Sequence, residues 1–148
     1  MSVKWRILPH LIKLYGLALT LFSFVVKRGS EHKWQPEESI KGVFMIITSL
    51  LGSARKSGNT ATILGWVEDE LQTMGHQVQR ISLNSLSIHG CLGCAKCKEK
   101  PEAIACVQND DAIAVLETMI SSDVVLFASP LYFWGFSAQI KAIIDRSY

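Results

Sequence analysis

From residue 43 onward the chain alternates between short, unbroken apolar runs and longer stretches whose apolar residues recur every three or four positions. Residues 43–51 form a continuous run rich in β-branched side chains, the pattern of a strand buried on both faces. A loop of small and polar residues follows. Beyond it, Ile63, Leu64, Val67, Leu71 and Met74 lie on one face of a helix that Gly75 stops. Residues 77–83 predict a second strand. Asp110 and Asp111 sit where a helix N-terminus favours acids, ahead of Ile113, Leu116, Met119 and Ile120. Residues 123–128 enclose Val124, Val125, Leu126 and Phe127, a third buried strand. After a loop at 129–136, a last helix carries Ile140, Ile143 and Ile144. Strict alternation of strand and helix predicts right-handed crossovers and an α/β fold with a parallel sheet. Ligands in such sheets bind beyond the carboxyl ends of the strands, so the loops at 53–60 and 129–136 are expected to converge there.

Upstream, residues 7–26 are largely apolar, interrupted by His10 and Lys13 and unbroken from 14 to 26. Lys4 and Arg6 precede the stretch, and Lys27 and Arg28 follow it. This pattern predicts an apolar leader helix over 1–26. The Gly, Ser, Pro and charged residues that follow predict a linker over 27–42. A span of about 20 residues just crosses a bilayer at 1.5 Å per residue. Lys13 would then sit well inside, and the basic flanks give no clear orientation. No small-x-small cleavage site follows. Three readings stay open: a helix lying on a membrane or on the protein itself, a single membrane anchor, or upstream sequence outside the working enzyme.

Charge and cysteine content narrow the chemistry. Residues 1–42 hold seven Lys/Arg against three Asp/Glu, and residues 43–148 hold eight against ten. The net charge of +2 therefore belongs to the leader, and the body has no polycationic face for nucleic acid. Cys91, Cys94, Cys97 and Cys106 are the only cysteines. Their short spacing suits metal or redox chemistry in a reducing, cytoplasmic compartment better than a disulfide framework. Two-residue gaps let successive thiolates converge on one iron-sulfur cluster. Four thiolates also make a closed zinc site, and free or redox-active thiols are a third reading. His10, His32, His76 and His89 are scattered and read as surface or structural residues.

The loop from Ser53 to Thr60 meets the requirements of a phosphate cradle. Small residues let backbone N–H groups approach an anion, the next helix presents its positive end, and hydroxyls add donors. Arg55 can add a charge-assisted hydrogen bond. The loop fits neither the triphosphate motif nor the dinucleotide motif. Physics alone also allows an ordinary strand-to-helix turn.

The pattern Gly52-Ser53-x-Arg55-x-x-Gly58-Asn59-Thr60 resembles the FMN phosphate loop of the NAD(P)H-dependent FMN reductases, a flavodoxin-like family. The stretch Ser129-Pro130-Leu131-Tyr132-Phe133-Trp134-Gly135-Phe136-Ser137-Ala138, running into Lys141 and Asp145-Arg146, resembles that family's second flavin loop. The resemblance covers residues 43–148. It implies that Ser53, Arg55, Ser57, Gly58, Asn59 and Thr60 hold the FMN phosphate. It also implies that Pro130, Leu131, Tyr132, Phe133, Trp134 and Gly135 line the isoalloxazine ring. Aromatic faces suit a flat heterocycle, and Gly135 would allow close backbone approach. Core packing is the plainer reading of the aromatics, but three in a row cannot all point inward from one loop. Catalytic side chains are not required, because the flavin performs the transfer. Within the family, the iron-sulfur flavoproteins carry a compact four-cysteine motif in this region. That resemblance implies a [4Fe–4S] cluster on Cys91, Cys94, Cys97 and Cys106 that exchanges electrons with FMN. Cys106, after the longest gap, fits least closely.

The resemblance thus implies a flavodoxin-like, doubly wound sheet of which only the first three βα units are present, so that the third strand would expose an unpaired edge. It implies an FMN-dependent NAD(P)H oxidoreductase or electron-transfer flavoprotein, with a redox partner protein and a homo-oligomeric state. The alternatives are a remnant or interaction module without flavin, and a membrane-attached carrier.

Overall fold

A computed structural model describes residues 5–7, 22–28, 43–100 and 102–147, with the backbone alone at 5–7 and 22–28. The strands are β1 (Trp5–Ile7), β2 (Phe22–Arg28), β3 (Ile46–Leu51), β4 (Gln77–Ser82) and β5 (Val124–Ser129). The helices are α1 (Asn59–Thr73), α2 (Ala112–Ser121) and α3 (Ala138–Arg146). One sheet holds the strands in the order β1-β2-β5-β3-β4. β3 pairs in parallel with both β4 and β5, as the alternation of elements predicts. The order β4-β3-β5 is the opening half of a doubly wound sheet.

The helix predicted over 1–26 is not what the described parts of that stretch form. Trp5–Ile7 and Phe22–Arg28 are strands, while residues 8–21 lie outside the described residues. β2 runs antiparallel along β5, with Phe22 opposite Ser129 and Lys27 opposite Val124. The outer edge of β5, expected to be bare, is therefore paired. Aromatic and β-branched residues such as Phe22, Phe24, Val25 and Val26 suit extended backbone, and the open edge of a sheet offers it hydrogen-bond partners. Lys27 and Arg28 of the expected linker belong to β2, and the rest of that linker lies outside the described residues. Among the described residues no helix is long and apolar enough to cross a membrane.

Side chains along β3 alternate between two helical layers. Leu50 on one face packs with Val125 and Phe127 of β5, and with Val115, Leu116 and Met119 of α2 and Ile140 and Ile143 of α3. On the other face Leu51 and Ala128 meet Ala61 and Leu64 of α1. Every residue from Ile47 to Leu51 is buried, as a central parallel strand requires.

The buried stripe of α1 differs from the expected one. Ala61, Leu64 and Glu68 face the sheet, while Val67 and Met74 are exposed. The cause is a polar clasp. Ser49 donates to the Glu68 carboxylate, which also takes two guanidinium hydrogen bonds from Arg80 of β4, with Nε at 2.9 Å. A buried carboxylate needs such partners, and meeting them turns the helix away from its most apolar face.

Candidate functional site

β3 and β5 are adjacent and parallel, so the loops leaving their carboxyl ends emerge side by side. The Gly52 N–H donates to the Ala128 carbonyl at 2.8 Å. A Cβ at position 52 would lie 2.7 Å from Ser137 Oγ and 2.2 Å from Ile140 Cγ1. Only a glycine fits where the first loop crosses the start of α3. Both loops thus leave the same end of the sheet, from neighbouring parallel strands.

In the first loop the buried Ser53 hydroxyl accepts from the Arg55 N–H at 3.2 Å, which bends the chain back on itself. Arg55, Ser57 and Asn59 are exposed, Gly58 is half-buried and Thr60 is buried. Gly58 is the N-cap of α1, with extended backbone and no capping side chain. The first N–H groups of a helix have no intrahelical partners. A fifteen-residue helix therefore opens on uncapped donors beside hydroxyls and a guanidinium, which is the make-up of an anion site.

The second loop is closed at its base by Ser129, whose hydroxyl accepts from the Ser137 N–H at 2.9 Å and donates to the Pro130 carbonyl at 2.8 Å. At its tip Tyr132 and Gly135 exchange two backbone hydrogen bonds, of 3.1 and 2.9 Å. Phe133 and Trp134 between them have φ of 50° and 65°. This is a two-residue turn of the mirror-image type, which normally selects glycine or asparagine. Phe133 is 103% exposed and Trp134 91%. The aromatics do not pack into the core, and two bulky residues are held in an unfavourable backbone region, a pattern that clusters at functional sites. Pro130 and Leu131 are half-buried, and Tyr132 and Gly135 are exposed.

The four cysteines follow β4. Cys91 and Cys94 are exposed, Cys97 and Cys106 half-buried, and all four are free thiols. Gly93 and Ala95 both adopt positive φ, 64° and 58°, so the chain coils tightly between the thiols. All four line one pocket of about 30 Å³, together with Leu92, Val107, Asp145 and Arg146. Among the described residues no three His, Cys, Asp or Glu are gathered as tightly as a bound metal would hold them. All-sulfur donors are the soft set that iron-sulfur and zinc centres use, and all four thiols line the one pocket.

A pair that the spacing of cysteines could not reveal sits at the base of this loop. Asp110 accepts from Arg146 Nη1 at 2.8 Å and Nη2 at 3.0 Å. The side chains are 4% and 1% exposed. Asp110 also accepts from the N–H groups of His89 and Ala112. Arg146 donates to the His89 carbonyl, and Asp111 accepts from the Ser87 N–H at 2.7 Å. These bonds clamp residues 87–90 to 110–111 and close the cysteine loop. The Arg146 hydrogen bonds hold the Asp110 carboxyl far below the usual carboxylate range, against the opposing effect of burial. Arg146 is raised above its ordinary value, first by Asp110, with Cys106 adding to the effect. The sequence did carry a signal: Arg146 falls three residues beyond Ile143 on the buried face of α3, where a cation needs an acid.

The sequence model of the NADPH-dependent FMN reductases matches residues 45–148. The chain belongs to that family. Both loops described above lie within the matched region. The chain is 38% identical over 102 residues to an iron-sulfur flavoprotein of Archaeoglobus fulgidus, covering 69% of this chain and 45% of that one. It is 34% identical over 103 residues to one of Methanocaldococcus jannaschii, covering 70% and 52%. It is 30% identical over 103 residues to one of Methanosarcina thermophila, with the same coverage. The chain spans about half the length of these curated relatives. No solved structure matches it.

Proposed function

We propose that residues 43–148 form the FMN-binding part of an NAD(P)H-linked oxidoreductase or electron-transfer flavoprotein, with a [4Fe–4S] site on Cys91, Cys94, Cys97 and Cys106. The observation that carries the reading is that the uncapped N-terminus of α1 and a strained aromatic turn follow the carboxyl ends of the adjacent parallel strands β3 and β5.

In this reading the N–H groups at the start of α1, the hydroxyls of Ser53, Ser57 and Thr60, the Asn59 amide and the Arg55 guanidinium hold the phosphate. Helix dipole and charge-assisted bonds favour a dianion there. Pro130, Leu131, Tyr132, Phe133, Trp134 and Gly135 wall the ring, and the aromatic faces exclude water from one side of it. Bound FMN would supply hydride acceptance and one-electron transfer. A nicotinamide dinucleotide is the proposed donor, and a redox partner protein or a second copy of the chain the proposed partner. The thiolates of the cysteine loop would hold the cluster, the donor set being soft and all-sulfur. The curated relatives bear the name iron-sulfur flavoprotein, which supports the same reading here.

Titrating the anaerobically purified chain into FMN, followed by flavin fluorescence, tests the flavin half. Quenching that saturates near one FMN per chain is expected, and weaker quenching with riboflavin, which lacks the phosphate. Equal affinity for both would remove the phosphate-cradle assignment. Iron and sulfide analysis after anaerobic reconstitution tests the cluster half, with about four irons per chain expected.

A further inference from the structure

The flavin loops leave the carboxyl end of the sheet, and the opposite end carries a different surface. β2 runs antiparallel to β5, so it ends where β5 begins, with Lys27 opposite Val124. β1 continues the row, with Arg6 opposite Lys27 and Trp5 opposite Arg28. Lys4 directly precedes Trp5, and residues 1–28 hold five Lys/Arg and no Asp/Glu. Four of those five therefore fall at this end of the two outer strands or next to it in sequence. Residues 29–42, which join Arg28 to Val43, are close to neutral, with two lysines and three glutamates.

The neighbouring strands bring apolar residues to the same end. The Asp123 N–H donates to the Ile46 carbonyl at 2.8 Å, and the Gln77 N–H to the Met45 carbonyl at 3.0 Å. The starts of β5, β3 and β4 thus lie side by side. Val43 and Phe44 lead into β3, Met74 is the C-cap of α1 ahead of β4, and all three are exposed. Asp123 is the acid beside them, and its carboxylate accepts the Ile46 N–H at 2.8 Å. Asp69 and Glu70 lie a turn farther back on α1.

We propose that this amino end of the sheet is a docking edge for an anionic lipid surface. Acidic headgroups attract clustered Lys and Arg, each worth about fivefold in affinity near the membrane. Trp and exposed apolar side chains suit the headgroup boundary. The exposed apolar residues are few, so their burial alone binds weakly and the basic row supplies the rest. The contact is peripheral and needs no spanning helix. Six residues of β3, at about 3.3 Å each, set the flavin loops about 20 Å from the docking edge. A docked chain presents those loops to solvent, where a soluble electron donor or partner reaches them. That consequence rests on the proposed flavin site, while the docking edge does not.

Co-sedimentation of the full chain with lipid vesicles tests the edge. Wild type is expected to bind vesicles of phosphatidylcholine with about one-third phosphatidylglycerol, and not pure phosphatidylcholine. Release is expected at about 1 M salt, where the Debye length is about 3 Å. Lys27→Gln with Arg28→Gln should weaken binding about tenfold or more, and Phe44→Ala about fivefold. Lys56→Gln with Lys100→Gln removes the same charge from loops at the carboxyl end and should leave binding within about twofold. Equal weakening by the two pairs would mean that net charge alone acts. Equal binding to both kinds of vesicle would remove the basic row from the contact, and no binding by wild type would leave the edge to an acidic protein. Any of these three results overturns the proposal. Should the variant at 27 and 28 fail to fold, hydrogen exchange of the wild-type chain on the anionic vesicles decides. Added protection is expected at residues 43–45 and none at 130–136, and the reverse pattern would overturn the docking edge.

Discussion

Gly52→Ala tests the junction on which both flavin loops depend. The added Cβ would lie 2.2 Å from Ile140 Cγ1, 2.9 Å from Ile140 Cδ1 and 2.7 Å from Ser137 Oγ. Carbon atoms attract best at about 3.5–4.0 Å, so all three contacts are strongly repulsive. Ile140 has no exposed surface and no free space in which to turn, and the Ser137 hydroxyl is engaged in capping α3. β3 and α3 must therefore move apart. Overpacking costs about 1–3 kcal/mol, and loss of a cap about 1 kcal/mol more. The variant should lose about 3 kcal/mol, a fall in Tm of about 10 °C or more for a domain of this size. Ile140→Ala alone should lose about 2–5 kcal/mol through the cavity it leaves. In the double variant the new methyl occupies part of that cavity and both clashes with Ile140 are gone, leaving the one with Ser137 Oγ. The two losses should then fall short of additivity by about 1–3 kcal/mol. Urea unfolding of the four chains, followed by circular dichroism, measures the cycle. Additivity within about 0.5 kcal/mol would refute the close approach of Gly52 to α3.

Other changes reach the remaining parts of the site. Asp110 has a folded pKa below its unfolded value, so its contribution is fully present above the unfolded value of about 3.9 and is lost as pH falls through the folded one. Asp110→Asn should therefore be less stable than wild type at pH 7 by about 3–5 kcal/mol. The gap in urea midpoints should narrow as pH falls below about 4, and a constant gap would contradict the paired carboxylate. Arg55→Ala removes an exposed charge and should leave Tm within about 2 °C. It should weaken FMN binding about tenfold or more, as loss of a charge-assisted bond implies, and an unchanged Kd would take Arg55 out of the cradle. Phe133→Gly releases a bulky side chain from φ of 50° where it buries nothing. Thermal melting should show unchanged or higher stability, by up to about 1 kcal/mol, while FMN affinity falls. A loss above 1 kcal/mol would mean the ring is packed.

What the sequence made legible was what repeats locally. The period of two or none along β3 and β5, and of three to four along α2 and α3, follows from backbone geometry and survives tertiary packing. Loop placement follows from the parallel topology alone, which is why the loops at 53–60 and 129–136 are expected at one end of the sheet without any distance in hand. The buried face of α1 is not legible locally, because Glu68 reads as solvent-facing until Ser49 and Arg80 surround it, and neither lies within one turn of it. Hydrophobicity along the leader does not separate a helix from a strand. The open edge of β5, 100 or so residues away, decides the matter for Phe22–Arg28.

The Asp110–Arg146 pair shows how such non-local facts can still be reached. Arg146 continues the Ile140 and Ile143 stripe, so α3 cannot bury its apolar face without burying a guanidinium as well. A buried cation is tolerable only beside an anion and with its donors satisfied. Few acids lie near enough in the topology: Asp110 and Asp111 begin α2, which packs against the same face of the sheet as α3. Choosing Asp110 places the base of the cysteine loop against the end of α3. The cysteine motif and the Asp145-Arg146 end of the second flavin motif, read separately along the chain, are then parts of one pocket. The helix that anchors Arg146 at one end is capped by Ser137 at the other, beside Gly52. A substitution at either end should therefore be felt at both sites, through the position of one short helix.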